Sequence, residues 1–121
     1  MTAHAVEIIA HRGASYDAPE NTVAAFKLGW KQNADAVELD IWLSKDGKIV
    51  CLHDDNTKRT AGVDKAVADQ TLAELRMLDA GSLKGTKWKG EKLWLVLLYP
   101  PVVEQEDKLG SLKREILMED V

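Results

Sequence analysis

The stretch Ala36-Val37-Glu38-Leu39-Asp40-Ile41-Trp42-Leu43-Ser44-Lys45-Asp46-Gly47-Lys48-Ile49-Val50-Cys51-Leu52-His53 decides the fold. Between Ala36 and Ser44, Val37, Leu39, Ile41 and Leu43 share one parity while Glu38, Asp40 and Trp42 share the other. That alternation predicts a strand with one apolar and one acidic face. Asp46-Gly47 supplies the positive φ values of a tight hairpin, and Lys48 to His53 returns as a second strand. A two-residue loop pairs Lys45 with Lys48, Leu43 with Val50 and Asp40 with His53. Opposed residues share a face with Cβ atoms about 5 Å apart, so Asp40 and His53 converge, with Glu38 one pleat along.

Upstream, Val6-Glu7-Ile8-Ile9-Ala10 is short and apolar and runs straight into His11-Arg12-Gly13, which predicts a buried strand ending at a polar loop. Pro19-Glu20-Asn21-Thr22 precedes apolar residues at Val23, Phe26, Leu28 and Trp30. An amphipathic helix follows from that spacing, capped by Asn21 or Thr22 and closed by Asn33-Ala34-Asp35. Downstream, Asp54 to Ala68 reads as a loop. Thr71 with Glu74 forms a capping box ahead of a short helix that Gly81 stops. Ser82 to Lys92 is a Gly- and Lys-rich connection, Leu93 to Val103 is apolar but broken by Pro100-Pro101, and a charged tail runs to Val121.

This order of elements belongs to the α/β class. The chain has 121 residues, 45% apolar and 30% charged, with a net charge of −4. That balance excludes a disordered tail, and the acidic sum does not favour a nucleic-acid partner. Cys51 is the single cysteine, so neither an internal disulfide nor a cysteine zinc cluster is available. Leu93–Val103 is shorter than the roughly 20 residues of a membrane span. Met1 to Ile9 has no basic residue and carries Glu7, so no secretory signal is read and the cytoplasm is the expected location.

Three polar clusters stand at strand ends: His11-Arg12, Glu38-x-Asp40 and His53. Two carboxylates on one strand face suit a hard divalent cation, Mg²⁺ or Ca²⁺. An imidazole beside them moves protons near neutral pH, and the planar fork of Arg12 matches phosphate oxygens. Taken singly, His11 is also a loop residue, Glu38 and Asp40 the solvated face of an edge strand, and His53 a surface histidine. Together they suit phosphoryl transfer with acid–base help.

The runs His11-Arg12-Gly13, Pro19-Glu20-Asn21-Thr22, Glu38-Leu39-Asp40, Lys45-Asp46-Gly47 and His53-Asp54, with Arg59-Thr60 beyond, resemble the glycerophosphodiester phosphodiesterases from about Ile8 to Lys92. The resemblance implies the N-terminal part of a TIM-barrel-like (β/α) phosphodiesterase fold, truncated, because a whole barrel takes roughly 250 residues. It implies a partial domain over residues 6–92 and a divergent tail over 93–121. It also implies hydrolysis of a small glycerophosphodiester to an alcohol and glycerol 3-phosphate in glycerophospholipid metabolism. His11 and His53 would be the acid and base, Glu38 and Asp40 the metal ligands, Arg12 the phosphate contact and Glu20 its supporting neighbour. The family's third acidic ligand has no matching position here, since the pattern is lost at Leu93-Trp94. That loss predicts a truncated or frame-shifted product, and sets a catalytically inactive, partner-dependent module beside the enzyme as an alternative.

Overall fold

The computed structural model describes residues 6–94. Strand β1 (Ile9–His11) is followed by helix α1 (Val23–Lys31) and then by β2 (Ala36–Glu38). β1 and β2 pair in parallel, with Ile9 opposite Ala36, Ala10 opposite Val37 and His11 opposite Glu38. Parallel neighbours need a crossover connection, and α1 supplies it. Thr22 caps α1 by accepting the Ala25 N–H, as expected, and Lys31 sits in its last turn, where a cation complements the helix dipole. Asn33, at φ 63°, turns the chain after the helix.

The second pair is the antiparallel hairpin of β3 (Ile41–Leu43) and β4 (Ile49–Cys51). β4 is covered on both faces. Cys51 packs with Phe26 and Val37, against which Ala10, Trp30, Leu39 and Trp94 lie. Val50 and Leu52 point the other way, into a cluster with Val67, Leu75, Ala80 and Leu93. Period-two alternation in one short strand thus joins the two apolar clusters. Phe26 and Trp94 meet edge to face, with centroids 5.2 Å apart. The Cys51 N–H donates to the Trp94 carbonyl at 2.9 Å, so Leu93-Trp94 runs beside β4.

Five expectations are corrected. The strand read over Ala36–Ser44 is split, because Leu39-Asp40 leaves the ladder between β2 and β3. The apolar parity fails with it: Val37 is buried but Ile41 and Leu43 are exposed. The hairpin loop holds three residues, not two, so Ile41 faces Cys51, Trp42 faces Val50 and Leu43 faces Ile49. Only Gly47 takes a left-handed φ, of 73°, whereas the two-residue turn needs that at both central positions. The Ser44 hydroxyl fixes the longer loop by donating to Asp46 at 2.7 Å and accepting the Lys48 N–H at 2.9 Å. Asp40 therefore stands opposite Leu52, whose N–H its carbonyl accepts at 3.0 Å, and not opposite His53.

The third correction concerns β1, whose Ile9 is half exposed and whose preceding residue Ile8 is more so. Among the described residues β1 has a partner on one side alone, and only Ala10 turns toward α1. Fourth, helix α3 (Leu72–Met77) has the expected Thr71–Glu74 capping box but stops at Leu78, which turns to extended backbone before Gly81 is reached. Fifth, the Asp54–Ala68 loop contains helix α2 (Lys58–Ala61), ended by Gly62 in the left-handed region. The Leu93–Val103 run beyond Trp94 and the charged tail lie outside the described residues. Among those described, no helix is long and apolar enough to cross a membrane.

Candidate active site

Parallel strands deliver their C-terminal residues to one end, where barrel enzymes place their chemistry. Here those residues are His11 and Glu38, opposite each other in the ladder, with His11 Nε2 3.9 Å from Glu38 Oε2. The backbone then reverses sharply: Arg12 and Gly13 both take left-handed φ values, of 58° and 78°. This turn sends the Arg12 N–H to Glu38 Oε2 at 3.2 Å. It also sends the guanidinium inward, where the side chain is 18% exposed. There Nη1 reaches Glu20 Oε1 at 3.3 Å and Nε lies 3.2 Å from Asp40 Oδ2. The Nε contact is an ion pair only, since its geometry falls outside hydrogen bonding.

Asp40 leaves the β2 ladder because Asn21 takes over its backbone. The Asp40 N–H donates to Asn21 Oδ1 at 3.2 Å, and Asn21 Nδ2 donates to Asp40 Oδ2 at 3.1 Å. Asn21 is fully buried at φ 56°, a conformation that asparagine tolerates better than most residues. The pairing explains why the E-x-D segment bends where alternation predicted a straight strand. Asp40 also lies near Cys51, and burial together with that carboxylate pushes the thiol up, so Cys51 stays an unreactive core residue.

His53 follows the buried run of β4. Its Nδ1 lies 2.8 Å from Asp54 Oδ1, and its carbonyl accepts the Trp42 indole N–H at 3.0 Å. Arg59, on α2, closes the arrangement. Its Nη2 and Nη1 take the two oxygens of Glu20 at 2.6 and 3.0 Å, while Nε and Nη2 take those of Asp54 at 2.8 and 3.1 Å. Hydrogen bonding from Arg59 holds Glu20 below the usual carboxylate range. The same guanidinium, helped by His53, holds Asp54 down to about 2.

All six expected site residues thus lie along one run of contacts, from His53 through Asp54, Arg59, Glu20 and Arg12 to Asp40, Glu38 and His11. The structure does not set Asp40 against His53 directly. Asn21, Asp54 and Arg59 were missed as partners. The sequence marks Asn21 as a candidate helix cap and as part of the Pro19–Thr22 motif but gives no sign of its pairing with Asp40, and Arg59 lies 39 residues from Glu20, a pairing that no local pattern signals. Glu38 and Asp40 fit a hard dication in kind, each offering carboxylate oxygen on a partly exposed side chain. Such ions take six to eight oxygens. Among the described residues no group of three or more metal-binding side chains is assembled.

Residues 11–121 match the glycerophosphoryl diester phosphodiesterase family. YhdW of Bacillus subtilis is 56% identical over 86 residues, which are 71% of this chain and 35% of that protein. The glycerophosphodiester phosphodiesterase of Caldanaerobacter subterraneus subsp. tengcongensis is 48% identical over the same length, again 35% of its own chain. Among solved structures, an Oleispira antarctica phosphodiesterase in complex with the product sn-glycerol-3-phosphate has a TM-score of 0.74 at 43% identity. The match covers 83% of this chain and 40% of that one. Glycerophosphodiester phosphodiesterase from Agrobacterium tumefaciens str. C58 also scores 0.74, at 37% identity, over 76% of this chain and 40% of its own. The chain therefore spans little more than a third of the length of these relatives and aligns with part of their fold. It belongs to the glycerophosphoryl diester phosphodiesterase family.

Proposed function

We propose that this chain carries the first catalytic segment of a phosphodiesterase that hydrolyses glycerophosphodiesters to an alcohol and sn-glycerol 3-phosphate, a step of glycerophospholipid breakdown. The observation that carries the reading is the unbroken run of polar contacts joining His11 to His53 across three separate segments. The product-bound Oleispira antarctica relative supports the choice of product.

In this reading His11 and His53 divide the proton transfers. One imidazole takes the proton of the glycerol hydroxyl as its oxygen attacks phosphorus, and the other protonates the departing alcohol oxygen. The resulting cyclic phosphate is opened by water with the two roles exchanged. Arg12 faces the phosphoryl oxygens with the N–H groups that Glu20 and Asp40 leave over, since a guanidinium has five. Glu38 and Asp40 would hold a divalent cation, Mg²⁺ or Ca²⁺, whose charge would offset that building up on the phosphoryl oxygens.

A purified chain given sn-glycero-3-phosphocholine tests this. Release of sn-glycerol 3-phosphate, lost on chelation and lost in both His11→Ala and His53→Ala, is the expected result. A folded, cation-loaded chain that releases none refutes it. The second reading is a binding or partner-dependent module without turnover of its own. It is favoured by the pair, rather than trio, of acidic ligands among the described residues.

A further inference from the structure

Arg59 is the most heavily engaged cation of the described residues, and the proton transfers above do not use it. One edge of its guanidinium grips both oxygens of Glu20, and the other grips both oxygens of Asp54. Such paired forks fix angle as well as distance. The platform beneath is stiff. Thr57, fully buried at the start of α2, donates its hydroxyl to the Val63 carbonyl at 2.7 Å. Buried Gln70 donates to Thr57 Oγ1 at 3.2 Å and to the carbonyls of Lys65 and Ala66.

Each gripped carboxylate touches one expected site residue. Asp54 meets His53 Nδ1, and Glu20 meets Arg12 Nη1. An ionised carboxylate can only accept, so the 2.8 Å contact from Asp54 requires that Nδ1 carry the proton. Nε2 is then the nitrogen left to take or give a proton during reaction. Trp42 holds the backbone end of the same residue through the His53 carbonyl.

Resting on the phosphodiesterase reading, we propose that Arg59 is the positioning residue of this site: by clamping Asp54 and Glu20 together it locks the Nδ1–H tautomer of His53 and the placement of Arg12. Lysine cannot replace it, because an ammonium is a point charge that cannot grip two carboxylates with paired bonds.

Multiple-bond ¹⁵N–¹H spectra of the imidazoles in the full chain, recorded above the imidazole titration, read the tautomer directly. The wild type is expected to show His53 protonated at Nδ1. Arg59→Lys is expected to populate both tautomers and to lower kcat on glycerophosphocholine roughly tenfold to hundredfold, with KM moving by less than about threefold. Lys58→Gln, which removes only the surface pair with Asp64, should leave both readouts unchanged. Should Arg59→Lys fail to fold, Asp54→Asn supplies the second test, with the same mixture of tautomers expected. A wild-type His53 protonated at Nε2 overturns the proposal, as does a folded Arg59→Lys chain with the wild-type imidazole spectrum. Absence of wild-type turnover sinks the hydrolase reading instead, and the tautomer is still decided by the spectrum.

Discussion

Replacing Gly13 by alanine should damage stability and site together. Gly13 sits at φ +78°, and an added Cβ would fall 2.6 Å from the Ala25 carbonyl carbon and 2.7 Å from its oxygen and Cβ. Ala25 is fully buried in α1, and its carbonyl accepts the Ala14 N–H at 2.8 Å, so neither that carbonyl nor the Cβ fixed to the same backbone can swing aside. The left-handed conformation costs a residue with a Cβ about 1–2 kcal/mol, and overpacking a filled site adds roughly 1–3 kcal/mol. The expected loss is about 2–5 kcal/mol, against a typical domain stability of about 5–15 kcal/mol. Gly47 provides the comparison, with φ +73° and nothing within 4 Å of an added Cβ, so Gly47→Ala should cost only the first amount. Urea unfolding measures both through the midpoint, provided the slope is unchanged. Equal midpoint shifts in the two variants would refute the steric argument. Because Arg12 precedes Gly13 at φ 58°, displacement of this turn also withdraws its guanidinium from Glu20 and Asp40.

Three further outcomes follow from the geometry. Phe26→Ala, at a fully buried ring that meets Trp94 edge to face, should cost about 3–5 kcal/mol in urea unfolding; a loss under about 1 kcal/mol would place the core elsewhere. Asp40→Asn should weaken Mg²⁺ or Ca²⁺ binding measured by calorimetry, while Asp64→Asn, paired only with Asn56 and Lys58 at the surface, should not; equal affinities would remove Asp40 as a ligand. Acid sensitivity follows from Glu20 and Asp54, whose folded forms titrate below their ordinary values. Depressed carboxylates stabilise the fold above the unfolded value of about 4 and lose that contribution as pH falls toward the folded value. Unfolding midpoints should therefore drop between pH 4 and 2, and Asp54→Asn should flatten that drop.

The motifs that fix chemistry were legible because they are local. His11-Arg12, Glu38-x-Asp40 and His53 each sit at the end of a short strand, where alternation and turn residues announce them. Thr22 and the Thr71–Glu74 box were legible for the same reason, since a cap acts over three residues. The hairpin register was not. Asp46-Gly47 fits a two-residue loop by composition, and only the Ser44 hydroxyl, bonded to both Asp46 and Lys48, selects the longer one. One residue of slip then reverses which face each side chain occupies. Convergence of the site survived that error through residues that the alternation argument ignored. Asn21 bends Asp40 out of the strand, and Arg59 ties Glu20 to Asp54 over a separation that no periodicity encodes.

The central claim is that one site spans His11, Arg12 and His53. Amide and imidazole spectra of the ¹⁵N-labelled chain, titrated with sn-glycerol 3-phosphate in the presence of Ca²⁺ or Mg²⁺, test it most directly. The account predicts saturable shifts at all three residues with a single affinity, and none at the exposed Met77 and Leu83. Shifts confined to one histidine, or none at saturating product and cation, would contradict it.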